Sequence, residues 1–104
     1  MASSIRTRIH HHNGVTTVSA IIRHPMETGF EHDPESGMII PAYFIEEVIC
    51  RHNDTVVLRC DWSRAVSRNP YLEFAFTGAK PGDSVHIRWL DSEGITDSTE
   101  VVIT

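Results

Sequence analysis

Residues 43–62 read YFIEEVICRHNDTVVLRCDW, two apolar-rich runs that alternate with a period of two and meet at Asn53-Asp54. Branched and aromatic side chains at alternate positions suit a pleated, half-buried surface, and the Asn-Asp pair supplies a turn, so the stretch predicts an antiparallel hairpin. The same pattern continues outward on both sides. It predicts seven strands, approximately Ser4 to His10, Val15 to Arg23, Tyr43 to Arg51, Thr55 to Trp62, Tyr71 to Thr77, Asp83 to Leu90 and Ile95 to Thr104. Asn13-Gly14, Lys80-Pro81-Gly82 and Ser92-Glu93-Gly94 punctuate the other boundaries with turn-forming residues. Parity then assigns an inward face: Phe44, Val48 and Cys50; Val56, Leu58, Cys60 and Trp62; Leu72, Phe74 and Phe76; Val85, Ile87 and Trp89; Val101 and Ile103. Short strands at this spacing, with no amphipathic helix, predict an all-β fold, an immunoglobulin-like β-sandwich of about seven antiparallel strands; a small barrel is the alternative.

The whole chain, residues 1–104, reads as a single domain of ordinary globular composition, 40% hydrophobic and 22% charged, with five prolines and six glycines. Nine Lys and Arg against 14 Asp and Glu leave a formal charge of -5 and a pI near 5.7, the opposite of a nucleic-acid binder's footprint. No apolar run, Met38-Ile39-Ile40 included, approaches the roughly 18 residues a membrane span needs. The N-terminal segment Met1 to Ile9 has no apolar core or small-residue cleavage site, which by itself predicts a cytoplasmic chain. Two connections exceed what a hairpin needs. His24 to Pro41 carries three prolines and two glycines among charged residues, and Ser63 to Pro70 has room for one short helical turn.

Candidate chemistry is sparse. With a two-residue Asn53-Asp54 loop, Cys50 pairs with Val57 and the two thiols face opposite sides; a three-residue loop leaves Cys50 and Cys60 offset along the ladder. Neither register makes a disulfide, so both cysteines are expected as free, buried thiols. Among seven histidines, His10 and His12 share a strand face, yet no metal-ligand spacing accompanies them. Glu46 and Glu47 are expected on opposite faces, which prevents their working as acid and base on one substrate. No nucleophile elbow and no phosphate-binding glycine loop is present. The residues favour a binding module over an enzyme, with no catalytic residue, metal or cofactor.

Two strings stand apart from this pattern, His24-Pro25-Met26-Glu27-Thr28-Gly29 and Ala65-Val66-Ser67-Arg68-Asn69-Pro70-Tyr71. Together with Ile21-Ile22-Arg23, Ile40-Pro41-Ala42-Tyr43-Phe44-Ile45 and Trp62, they make most of the chain resemble the SoxZ family of the bacterial thiosulfate-oxidising Sox system. The resemblance implies an immunoglobulin-like scaffold subunit of a heterodimeric sulfur carrier. Its partner would be a SoxY-type subunit whose glycine-flanked C-terminal cysteine holds sulfur intermediates, and other Sox enzymes would dock transiently. The chain ends Glu100-Val101-Val102-Ile103-Thr104, with no such cysteine. The resemblance also implies a periplasmic location, reached by co-export with the partner. It directs attention to His24, Met26, Glu27, Thr28, Asn69, Pro70 and Tyr71 as partner-binding surface, since Met and Tyr suit interfaces. The plainer structural alternative is that Pro25, Gly29 and Pro70 fix loop geometry while Met26 and Tyr71 plug the sandwich ends. Two other functions compete, a small histidine-rich metal-binding sandwich and a generic immunoglobulin-like interaction module.

Overall fold

Asn13 and Gly14 both take positive φ, 52° and 77°, the combination a two-residue hairpin turn needs to match the twist of its strands. They join β1 (Ile5–His12) to β2 (Val15–Ile22) in the computed structural model, which describes residues 3–104. A third strand, β5 (Tyr71–Thr77), pairs with β2 to complete a sheet of order β1-β2-β5. The second sheet, order β4-β3-β6-β7, contains β3 (Ile45–His52), β4 (Thr55–Asp61), β6 (Ser84–Asp91) and β7 (Thr96–Val102). Every pairing is antiparallel. The expected all-β, immunoglobulin-like sandwich is thus the observed architecture. Its core is Val18, Ala20, Ile22 and Leu72 from the first sheet against Ile45, Val48, Cys50, Val85, Ile87 and Trp89 from the second, with Ile103 closing one side.

Two one-residue insertions change the expected parity. In β3, Ile45 pairs with Asp91 and Glu47 with Leu90, so Glu46 is an extra residue and Ile45 joins Val48 and Cys50 on the buried face. Phe44 lies just before β3 and packs only partly against the core. The bulge also breaks the alternation expected of the two carboxylates: Glu46 is exposed, and Glu47 accepts an ion pair from Arg59 at 2.7 Å.

In β4 the register slips between Cys50 and Arg51, leaving Val57 extra. Val56, expected inside, is 49% exposed, and Val57 takes its place against the core. The same slip pairs Cys50 with Leu58 and Val48 with Cys60, so the thiols share the inward face two positions apart rather than facing opposite sides. Both are free, as expected, but only Cys50 is fully buried.

Other boundaries move by a few residues. β1 runs on to His12, which brings the whole histidine run into the strand. Residues 63–70 form turns rather than a helical turn, with Val66 N–H donating to the Ser63 carbonyl, and the described residues contain no helix. No helix is therefore long and apolar enough to cross a membrane.

Candidate functional site

The long connection from β2 to β3 leaves the sheet at His24 and at once folds back on itself. Met26 adopts φ 47°, a left-handed conformation that costs a residue with a Cβ roughly 1–2 kcal/mol. Three contacts hold it there. The Met26 N–H donates to His24 Nδ1 at 3.1 Å, the Ile45 N–H donates to Met26 Sδ at 3.2 Å, and the side chain lies in the core, 3% exposed. Glu27 and Tyr43 then exchange backbone hydrogen bonds of 2.6 and 3.0 Å, which pins the start of the loop to its end. Gly29, at φ 86°, lies where a Cβ would stand 3.1 Å from the Ala42 Cβ, so glycine is needed there for both conformation and space.

His24 is 2% exposed and forms the centre of a buried polar group. Because Nδ1 accepts from Met26, the ring proton resides on Nε2, which donates to Asp91 Oδ2 at 3.2 Å. Tyr43 and Trp89 enclose the imidazole, with ring centroids 4.5 and 5.4 Å away, the latter edge-on. Burial works against the charge of Asp91, but hydrogen bonds from Tyr43, the Ile95 amide, His24 and the Glu93 amide outweigh it and hold the carboxyl below its usual range. The same burial, with Asp91 beside it, pushes the Tyr43 hydroxyl up to about 12. Trp89 extends the network outward by donating to Ser4 Oγ, which donates in turn to Asp97. In this network each donor is matched to an acceptor.

The second string meets the first here. The Asn69 N–H donates to the His24 carbonyl and the His24 N–H donates to Asn69 Oδ1, while the Pro70 carbonyl accepts from Ile22. Pro70 is buried, Asn69 is exposed, and Tyr71 is 59% exposed with its hydroxyl donating to Glu73. Of the seven residues singled out from sequence, the structure therefore brings all to one end of the sandwich but divides them. His24, Met26 and Pro70 are interior and shape the loops. Glu27 and Thr28 are half-buried, and Asn69 and Tyr71 reach solvent. For Met26 the plug reading holds; for Tyr71 it does not.

The sequence reading passed over the outer part of the same loop. Residues 31–40 double back into a small hairpin, with a bridge between His32 and Ile39, and present Phe30, Met38 and Ile39 to water at 70%, 71% and 59% exposure. Arg64 lies 4.6 Å over the Phe30 ring, linking the hairpin to the Ser63–Pro70 turns. Three large apolar side chains within a run of charged residues were the available signal.

The thiols are poor nucleophiles. Burial, and secondarily the neighbouring Cys60, pushes Cys50 up to about 12, and burial raises Cys60 as well, with Asp61 adding to it. His10 and His12 are exposed on the outer face of β1 with ring centroids 6.1 Å apart. Among the described residues no group of three or more His, Cys, Asp or Glu is placed to hold a metal.

The family model described as Sulphur oxidation protein SoxZ matches residues 5–102. The chain belongs to the SoxZ family. Membership makes it a sulphur oxidation protein of the Sox system, as the two strings had suggested. Nothing among curated proteins matches the chain. Among solved structures, the crystal structure of hypothetical protein PH1083 from Pyrococcus horikoshii OT3 is similar in fold, with a TM-score of 0.62 at 15% identity over 96% of this SoxZ-family chain and 87% of that one.

Proposed function

We propose that this SoxZ-family chain is the non-catalytic scaffold of a two-subunit sulfur carrier. It binds a SoxY-type partner whose glycine-flanked cysteine holds the sulfur intermediates, and presents that arm to the enzymes that act on it. The observation that carries the reading is the junction of His24 and Asn69. The two strings most specific to the family, 45 residues apart, meet at one end of the sandwich, where Tyr71 follows the second string and the loop opened by the first goes on to expose Phe30, Met38 and Ile39. Aromatic and Met side chains exposed on these loops favour a protein partner, and Glu27, Thr28, Asn69 and Tyr71 supply its polar rim. His24, Met26 and Pro70 contribute by holding the loops in shape. Raised thiol pKa values at Cys50 and Cys60 argue for placing the reactive sulfur on the partner. The pair works in the periplasm, reached on the partner's export signal.

Co-expression with a SoxY-type subunit tests this. The two should co-purify at equal stoichiometry through an interface larger than about 2,000 Å², and Tyr71→Ala with Phe30→Ala should weaken the complex at least tenfold while the free chain keeps its melting temperature. Failure to co-purify, or turnover of thiosulfate by this chain alone, would overturn it.

A further inference from the structure

The charge of this acidic chain is unevenly spread. Arg6, Arg8 and Arg23 are all exposed on the outer face of the β1-β2-β5 sheet, and among the described residues the ion pairs are His24 with Asp91, His52 with Asp83, and Arg59 with Glu47 and Asp61. None of the three arginines is neutralised. Arg6 pairs with Ile21 across the ladder, and the Arg23 N–H donates to the Ser4 carbonyl, so Arg6 and Arg23 are diagonal neighbours on adjacent strands. Such neighbours lie roughly 7–8 Å apart, a spacing at which like charges repel but two guanidinium groups can grip one anion between them.

The surface between them is hollowed. One depression of about 170 Å³ is lined by Ser4, Arg6, Ile21, Arg23 and Asn69, and an adjoining one of about 300 Å³ by Arg6, Arg8, Ser19, Ala20, Ile21 and Tyr71. No carboxylate lines either. Glu73 accepts from the Tyr71 hydroxyl, and Asp97 of β7, which accepts from the Ser4 N–H and Oγ, lines a neighbouring depression of about 500 Å³ with Arg6 and Arg23. Asn69 adds a donor, because its Oδ1 is taken by the His24 N–H, which leaves the Nδ2 amide turned away from that bond at the edge of the first depression.

We propose that this depression binds a tetrahedral oxyanion group of the sulfate or sulfonate type, gripped by Arg6 and Arg23 and bonded by the Asn69 amide. Planar guanidinium forks match two oxygens of such a group, and no carboxylate lines the depression itself. Choosing sulfur over phosphorus rests on the family's sulphur oxidation chemistry, whose oxidised products are anions of this geometry. The group arrives either as a free oxyanion or as the terminal sulfonate of a sulfur-loaded cysteine on a partner's arm; the latter source alone rests on the carrier reading above.

The test is backbone and arginine-side-chain NMR of the full chain, titrated with sodium thiosulfate, sodium phosphate or sodium chloride at matched ionic strength. Thiosulfate should give saturable shifts centred on Ser4, Arg6, Ile21, Arg23 and Asn69. Arg6→Gln with Arg23→Gln should weaken the apparent affinity at least tenfold, and Arg51→Gln on the other sheet should leave it unchanged. A peptide bearing S-sulfocysteine that binds tenfold tighter than thiosulfate assigns the group to an arm, and equal affinity assigns it to the free anion. Non-saturating shifts at every arginine alike, affinity indifferent to the double substitution, or tenfold preference for phosphate would each overturn the proposal. The double variant should still co-purify with a SoxY-type subunit, so loss of the anion site and failure of the carrier reading give different results.

Discussion

His24 and Asn69 are joined by two hydrogen bonds, His24 N–H to Asn69 Oδ1 at 3.1 Å and Asn69 N–H to the His24 carbonyl at 2.9 Å. Asn69 makes both from a left-handed backbone, φ 51°, where Asn is among the few residues tolerated without glycine. Replacing it by Ala loses the acceptor and incurs the strain, a cost of about 2–3 kcal/mol, whereas Gly loses only the acceptor, about 1 kcal/mol. Urea unfolding should rank wild type above Asn69→Gly above Asn69→Ala; the reverse order of the two variants would show that the backbone conformation is not what matters.

Acid should act through three carboxylates. Asp83, Asp91 and Asp97 are each held below the usual carboxylate range, Asp83 chiefly by His52, Asp97 chiefly by Ser4, and Asp91 by the hydrogen bonds that overcome its burial. A group whose folded pKa lies below its unfolded value of about 3.9 adds stability above that value and loses it as pH falls through the folded pKa. Their contribution is therefore full above about pH 5 and declines below about pH 4. Asp91→Asn should flatten part of that acid limb in urea titrations between pH 3 and pH 6, and limbs that stay parallel would contradict the assignment.

Thiol labelling separates the two cysteines. With Cys50 at about 12, only about one thiol in 10⁴ is ionised at pH 8, and the side chain is enclosed. Maleimide should modify half-buried Cys60 slowly in the native protein and reach Cys50 only in denaturant. Equal native rates would mean that the β4 edge opens far more readily than its packing implies.

Of the two glycines in the loop, Gly29 has a neighbour that an added Cβ would crowd and Gly37 has none. Gly29→Ala forces a Cβ against the Ala42 Cβ and a side chain into φ 86°, costing about 1–2 kcal/mol for conformation alone. Thermal melting should report that loss, and Gly14→Ala, with open space around it, should cost only the conformational part. Equal losses at the two positions would remove the Ala42 contact from the account.

Strand number, order of turns and most inward residues were legible in the sequence because alternation and turn chemistry are local. Leu72, Val85, Ile87 and Trp89 fell where parity put them. What parity could not supply was the pair of bulges: nothing in Glu46 or Val57 distinguishes an inserted residue from a regular one, since the partner strand's register creates the bulge. Val56 was misread for that one reason, as was the two-residue-loop register that put the cysteines on opposite sides, whereas parity had both Cys50 and Cys60 inward, where they lie. At the site, the two strings were visible but their contact was not, because it joins residues 45 apart and engages His24 only through its backbone N–H and carbonyl, which carry no side-chain signature. His24 and Met26 read as surface because a histidine and a methionine in a Pro- and Gly-bounded loop resemble recognition residues. Asp91, the acceptor that keeps His24 inside, looks in sequence like any strand-end carboxylate.

The extra residue at Glu46 gives β3 something like a reading frame. Upstream of it, odd positions such as Ile45 enter the core; downstream, even positions such as Val48 and Cys50 do. Excising that single glutamate would leave Ile45 against Asp91 and Glu47 against Leu90 in an unbroken ladder, with Ile45 and Val48 still facing inward and the bond from the Trp62 N–H to the Glu46 carbonyl lost. Exchanging Glu46 for almost any other polar side chain should pass unnoticed. Which side chains of β3 enter the core is set by its pairing with β6, and Glu46 is the residue that pairing leaves over.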